Sequence, residues 1–283
     1  MAPSGSLPPA VHTMRIAPAS GLFNLRLGEL WAYRELLYFL VWRDVKVRYK
    51  QTAIGVLWVI LQPLLTMLVA NLFFGKLAKL PSQGLPYSVF CFAAIVPWSY
   101  FSTALVAATN VVVENQRVIT KVYFPRLILP VSAALSGLVD FSISFAVLLI
   151  FTFVHGIRPT LAILLMPLFL LLAILTVLGV GLWLSALNAL YRDVRYLIPF
   201  IVQFWTLASP VYYSSTMVPE RYRWLYGLNP MTGVIDGFRW CLLGDASRIY
   251  LPGVLASLCT ATLLMWIGVR YFRSTERSFA DHI

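Results

Sequence analysis

"VWRDVKVRYKQTAIGVLWVILQPLLTMLVANLFFGK", residues 41–76, joins two kinds of chain. Arg43, Asp44, Lys46, Arg48 and Lys50 crowd its first ten positions, and then no ionic side chain appears until Lys76. An uncharged run of that length, rich in Leu, Val and Ile, is what a bilayer core of about 30 Å demands of a helix. The join reads as a basic helix pressed against the mouth of a membrane span.

Outward from this stretch the pattern repeats. Apolar runs predict spans at about 53–75, 87–113, 127–154, 160–187, 197–213 and 251–272. The chain is 60% hydrophobic and 12% charged, about half the charged share of a soluble domain. The expected fold is an all-α integral membrane protein: six transmembrane helices preceded by an amphipathic interfacial helix at 28–51, with two short re-entrant helices on the outer side between spans five and six. The net charge of +11 is read by location. With the N-terminus inside, Arg15, Arg26, Arg34, Arg43, Lys46, Arg48, Lys50, Arg117, Lys121, Arg126, Arg192, Arg195, Arg270, Arg273 and Arg277 fall in inner segments, fifteen of the 22 Lys and Arg. Seven remain outside, so the positive-inside rule puts both termini in the cytoplasm. That rule accounts for the basic balance, and no nucleic acid is expected as a partner.

Residues 1–27 hold four prolines and no apolar core, and are expected to be a disordered cytoplasmic tail without a signal peptide. The six-span domain is expected over 52–273 and a short inner tail over 274–283. Cys91, Cys241 and Cys259 lack metal or disulfide spacing and read as small hydrophobes.

On the basic helix, Tyr33, Leu37, Leu40, Val41 and Val45 fall on one side and Glu35, Arg43, Lys46 and Lys50 on the other, while Phe39 and Trp42 break the pattern. The helix is placed in the cytoplasmic interface, as an anchor or with a further role. The connections "VENQRVITKVYFPR" (113–126) and "NALYRDVRY" (188–196) are short and charged, so they are topology signals or docking points. Between the last two spans, Asn229 is placed as N-cap with Pro230 at the first helical position, and Gly244 ends the run. Met231, Val234, Ile235, Phe238, Cys241 and Leu242 recur at helical spacing, with Thr232, Asp236 and Arg239 opposite. Before it, Pro219 opens a second short helix that Gly227 closes, and the pair reads as a re-entrant hairpin or cap at 216–244.

No catalytic constellation is present. Gly75-Lys76 has Ala70 where a phosphate-binding loop needs glycine and Leu77 where it needs Ser or Thr, so ATP chemistry would have to come from a partner. No cofactor or metal is expected in this chain. Asp140, the lone acid inside a span, costs about 2.5–3.5 kcal/mol at the bilayer centre and must face protein or water. It is either a relay or a partner in a helix–helix hydrogen bond. Trp98, Tyr100, Phe101, Trp205, Tyr212 and Tyr213 belong to an interfacial belt or line a channel, where flat rings would suit sugar C–H faces.

"RDVKVRYKQTAIGVLWVILQPLL" (43–65), "VPWSYF" (96–101), "TKVYFPR" (120–126), "NALYRDVRY" (188–196) and "NPMTGVIDGFRW" (229–240), in this order, resemble the permease subunits of ABC-type polysaccharide exporters of the O-antigen and teichoic-acid class. The resemblance covers about 28–273 and implies a non-enzymatic transporter subunit. It would form a homodimer with two separate ATPase subunits that bind ATP and Mg, in the bacterial inner membrane. It implies a coupling loop at 113–126 with Glu114, Arg117 and Lys121, and a nearby loop with Arg192 and Asp193. A gate helix would present Arg43, Lys46 and Arg48 to an undecaprenyl-pyrophosphate-linked polysaccharide, and an outer gate would include Asn229, Pro230 and Phe238. An exporter of small hydrophobic molecules and a proton-driven carrier using Asp140 are the alternatives.

Overall fold

The computed structural model describes residues 27–50, 55–122, 124–158, 160–244, 249–276 and 279, and throughout them the regular structure is helical. Residues 1–26 of the tail expected at 1–27, and the last residues, 280–283, lie outside this set. Eleven α-helices follow in order: α1 (Leu27–Ala32), α2 (Arg34–Lys50), α3 (Val56–Ala70), α4 (Tyr87–Glu114), α5 (Gln116–Ile119), α6 (Ile128–Val154), α7 (Met166–Leu190), α8 (Val194–Ala208), α9 (Glu220–Tyr226), α10 (Pro230–Leu243) and α11 (Leu251–Thr275). A wider π-helical turn, Asn71–Leu77, prolongs α3, and a 3-10 turn, Leu161–Leu165, precedes α7.

Five of these are long and apolar enough to cross a membrane: α3 with its π turn, α4, α6, α7 with its 3-10 turn, and α11. The run expected as a span at 197–213 is instead a 15-residue helix, Val194–Ala208, ended by a turn. At 1.5 Å per residue it is about 22 Å long. Pro210 supplies the reason, since the residue before a proline is pushed out of helical geometry.

α4 is the centre of the bundle. It packs against α3, α6, α7, α8 and α10, and Val89 through Val96 are all buried. α7 and α11 approach most closely, through glycine. A Cβ on Gly179 would stand 2.6 Å from the Met265 amide nitrogen, and one on Gly268 would fall on the Gly179 carbonyl oxygen. Small residues that let backbones meet in this way are how helices associate in lipid, where burial of apolar surface gives no drive. α3 and α8 are the loosely packed members, with Trp58, Leu65, Leu68, Phe200, Phe204 and Leu207 among their exposed side chains.

Packing supports one expectation and corrects another. The expected apolar side of α2 turns inward, with Leu40 buried against Ala108, Val112 and Phe272 and with Tyr33, Leu37, Val41 and Val45 half-buried, while Phe39 and Trp42, which break the pattern, are exposed along with Tyr38. α2 runs along α6, and Arg48 near its end meets Asp140, twelve residues into α6 and so about 18 Å along that helix. It is not confined to the end of the bundle. α10, expected to keep a polar face, is buried on every side, Thr232, Asp236 and Arg239 included. Its caps are those expected: Asn229 Oδ1 accepts from the Met231 amide, and Gly244 takes the left-handed conformation at φ 72°.

Candidate functional site

Three clusters carry the chemistry, at the two ends of the bundle and between them. At one end the C-termini of α4 and α7 lie side by side, because Asn188 donates to the Thr109 carbonyl and to Asn110 Oδ1, both at 3.1 Å. The end of α11 joins them, since Arg126 donates to the Glu276 carbonyl. Glu114, Arg117, Lys121, Arg192 and Asp193 are all exposed here. The connection after α4 is a single helical turn, α5, pinned by buried Ile119. α2 is tied to the same place. Arg43 binds Asp44 at 2.9 Å and also donates to Asn115 Oδ1 at 3.1 Å.

Midway, α3, α4 and α6 line a half-open cavity of about 620 Å³, bounded at one side by the end of α2. Arg48 pairs with Asp140 on its wall, and the Tyr49 hydroxyl donates to the same carboxylate. Desolvation and that carboxylate together push the Tyr49 pKa up, so its hydroxyl stays a donor. Asp140, read from sequence as a relay or a helix–helix hydrogen bond, is thus half of an ion pair between α2 and α6. Either charge alone would be costly at that depth, and pairing is the form in which such groups persist. Of the three cations assigned to a pyrophosphate, Arg43 and Arg48 are each bound to an acid, while Lys46 is exposed and sits 4.2 Å from the Trp42 ring.

The aromatic candidates divide. Tyr100 lines the cavity and reaches the Ala134 carbonyl at 3.3 Å. Trp98 and Phe101 are buried, and Phe101 is packed at 5.2 Å against Trp98 and 4.9 Å against Trp205. In the single chain Trp98 and Phe101 are packed within protein, and Trp205 is half-buried. α4 is enclosed on nearly all sides, so an aromatic on it meets protein in almost any direction.

At the far end, α8 gives way to the turn 209–214, and three consecutive carbonyls of that turn are captured by side chains. Arg239 on α10 donates Nη2 to Val211 O at 2.9 Å and Nη1 to Tyr213 O at 3.1 Å, and Tyr87 donates to Tyr212 O. Arg239 Nε reaches Phe90 O at 3.2 Å, with the guanidinium 3.6 Å over the Phe90 ring. Burial drives its pKa down to about 10, with Asp236 opposing the shift, and it remains charged at neutral pH. Burial drives Asp236 up to about 6, against the pull of Arg239 and a hydrogen bond from Ser215. Asn229 serves twice, as cap and as clamp: it accepts from Trp205 Nε1 at 2.9 Å and donates to Ser209 Oγ at 2.9 Å. Tyr213 and Tyr226 share a hydrogen bond at 2.7 Å, Tyr212 stacks on Phe74, and Phe238 is buried against Phe141.

Sequence reading missed Arg239. Its spacing put it on the polar face of the outer helix and gave it no role, although Asp236 and Arg239 three apart on an otherwise apolar helix were a visible signal for charges that burial would engage.

The sequence pattern of ABC-2 type transporters matches residues 35–243. The O-antigen export system permease protein RfbA of Myxococcus xanthus is 31% identical over 261 residues, covering 90% of this chain and 98% of that protein. The permease of the same name from Klebsiella pneumoniae is 26% identical over 256 residues, covering 90% and 96%.

Proposed function

The chain belongs to the ABC-2 type transporter family, and from that premise we propose that it is the membrane subunit of an ATP-driven exporter of an O-antigen-like polysaccharide. The cargo in this reading is carried outward on undecaprenyl pyrophosphate. The observation that carries the reading is likeness along almost the whole length of an O-antigen export permease, in a chain with no phosphate-binding loop of its own. Two copies would pair and recruit two ATPase subunits, which hold the ATP and Mg. The bacterial inner membrane is the site, with both termini cytoplasmic. That orientation requires α8 to cross as a sixth span. Its 15 residues are short of a bilayer core, and residues 209–213 complete the distance. Non-helical backbone is tolerated at membrane depth where protein satisfies it, and Arg239 and Tyr87 do so here.

In this reading the end bearing Glu114, Arg117, Lys121, Arg192 and Asp193 docks on the ATPase. The Arg43–Asn115 bond passes its movement directly to α2. Closure of the ATPase pair biases the bundle between two arrangements by binding one of them better. Lys46, with Arg43 beside it, offers charge to the lipid pyrophosphate, and α9 and α10 close the outer end. The channel forms between the two copies, with Tyr100 and the α4 hydroxyls as its wall. A proton carrier is less well supported, because the Asp140 carboxylate is engaged by Arg48 and Tyr49.

The test is purification in mild detergent from the native host. An ATPase should accompany the chain in equal number, and Arg117→Glu with Lys121→Glu should release it while the chain stays in the membrane. Purification of the chain alone, with polymer still reaching the surface of a deletion strain, would refute the reading.

A further inference from the structure

The cavity between α3, α4 and α6 is unlike a gap left between helices in lipid. One side carries an ion pair, Arg48 with Asp140, backed by the Tyr49 hydroxyl. Another carries the Ser102 and Thr103 hydroxyls of α4 and the Gln62 amide of α3. The rings of Trp58, Tyr100 and Phe141 complete it. Its volume, about 620 Å³, lies within the roughly 300–1,000 Å³ of small-molecule sites. A short run of rings would fit, and a whole polymer would not.

The charge balance selects the ligand. Among the lining residues Arg48 and Asp140 are one cation and one anion, so the wall is formally neutral. An anion would have to draw Arg48 away from Asp140, and a cation would have to draw Asp140 away from Arg48. Each leaves a charge unpaired at depth, the most costly change such a pair can suffer. A neutral polyol breaks nothing. Its hydroxyls accept from the guanidinium and donate to the carboxylate at once, and its C–H faces lie on the rings. An acyl chain would offer no partner to the Gln62 amide or to the Ser102 and Thr103 oxygens, which donate to the Ser99 carbonyl and can still accept.

We propose that this cavity is a subsite for uncharged sugar residues, in which Arg48 and Asp140 act as a joined donor and acceptor rather than as a phosphate site. The inference rests on the polysaccharide reading above and adds to it where the glycan is held and what charge it carries there.

Photo-crosslinking in the native host, on the assembled transporter, tests it. p-Benzoylphenylalanine replaces Thr103, an exposed cavity residue that tolerates bulk, or Ile150, an exposed residue of α6 that does not line the cavity. The chain is then denatured, purified and stained for carbohydrate. The Thr103 adduct is expected to carry glycan at least fivefold above the Ile150 adduct, and Ser102→Val with Gln62→Leu should cut that signal severalfold. A glycan-free Thr103 adduct in cells that still export overturns the proposal, as does equal labelling at both positions. An adduct of acyl lipid or phosphate alone at Thr103 also overturns it. Failure of the exporter reading is a separate outcome, read as unchanged surface polymer when the whole chain is deleted.

Discussion

Replacing Arg239 with methionine keeps the length and apolar stem of the side chain and removes its charge and donors. Three carbonyls then lose a donor, Phe90 O, Val211 O and Tyr213 O, and because Phe90 O keeps its helical N–H the loss falls on the two carbonyls of the turn. Each unsatisfied buried group costs about 1–3 kcal/mol. Asp236 is left buried without the nearby positive charge that favours its ionised form. These costs are not additive, because the turn relaxes and Asp236, already raised to about 6 by burial, takes up a proton. The expected net cost is about 4 kcal/mol, concentrated on the turn 209–214 and not spread over the bundle. Cys91 reports it, since its buried Sγ lies 4.0 Å from Val211 O beneath that turn. In a Cys241→Ala, Cys259→Ser background, a small thiol reagent reaches Cys91 only when the turn lifts, so the labelling rate tracks the open population. About 4 kcal/mol corresponds to a rise of about 10³. Arg239→Lys keeps the charge but not the fork, and should fall between. Adding Asp236→Asn to Arg239→Met should recover about tenfold by removing the stranded charge. Labelling of Arg239→Met within threefold of the parent would refute the claim that Arg239 holds the turn.

Three further outcomes follow from the same geometry. Gly268→Ala places a methyl group on the Gly179 carbonyl and should lower the melting midpoint of the detergent-solubilised protein by at least 5 °C or prevent assembly, whereas Gly84→Ala, with open space around it, should cost only the strain of its positive φ. Asp236 is raised above the ordinary value of about 3.9 by burial, so the folded chain binds more protons than the unfolded one between about pH 4 and pH 6. Relative to Asp236→Asn, wild-type stability should therefore fall as pH rises through that window, measured as the difference in melting midpoint at pH 4.5 and 7. Asn115→Ala removes the acceptor that ties α2 to the loop after α4; being half-exposed, the bond should be worth under about 1 kcal/mol, so surface polymer should drop severalfold with the melting midpoint almost unchanged.

What could be read from the sequence was local. Uncharged runs marked the long helices to within a few residues, because length and hydropathy are properties of each segment alone. Asn229, Pro230 and Gly244 bounded α10 because caps act over three or four residues. The exception among the spans had a local signal that was outweighed: "SPVYY" (209–213) is apolar enough to prolong α8, but Pro210 ends the helix before it. Facing was harder. A helix on the rim of a bundle declares its buried side through its polar residues, whereas α4 is buried almost all round. The order of Trp98, Tyr100 and Phe101 therefore carries no mark of which ring meets the cavity.

Long-range pairing left no trace that spacing could show. Arg48 and Asp140 are 92 positions apart, Arg43 and Asn115 are 72 apart, and Arg239 and Phe90 are 149 apart. One rule makes these pairs intelligible together. A cation drawn partly or wholly out of water needs an acid or a polar acceptor in exchange, and where that partner lies on another element the contact fixes the two elements to each other. Arg43 fixes α2 to the loop after α4, Arg48 fixes α2 to α6, and Arg239 fixes α10 to the turn after α8. Arg43 and Arg48, read from sequence as waiting for an outside partner, are thus bound within the chain, and Arg239 holds the turn 209–214 in the same way. An exporter that shifts α2 or the turn 209–214 must exchange these bonds as it moves. Where the replacement acceptor is a sugar hydroxyl, as in the subsite proposed beside Arg48, cargo and conformation would be coupled through the same guanidinium.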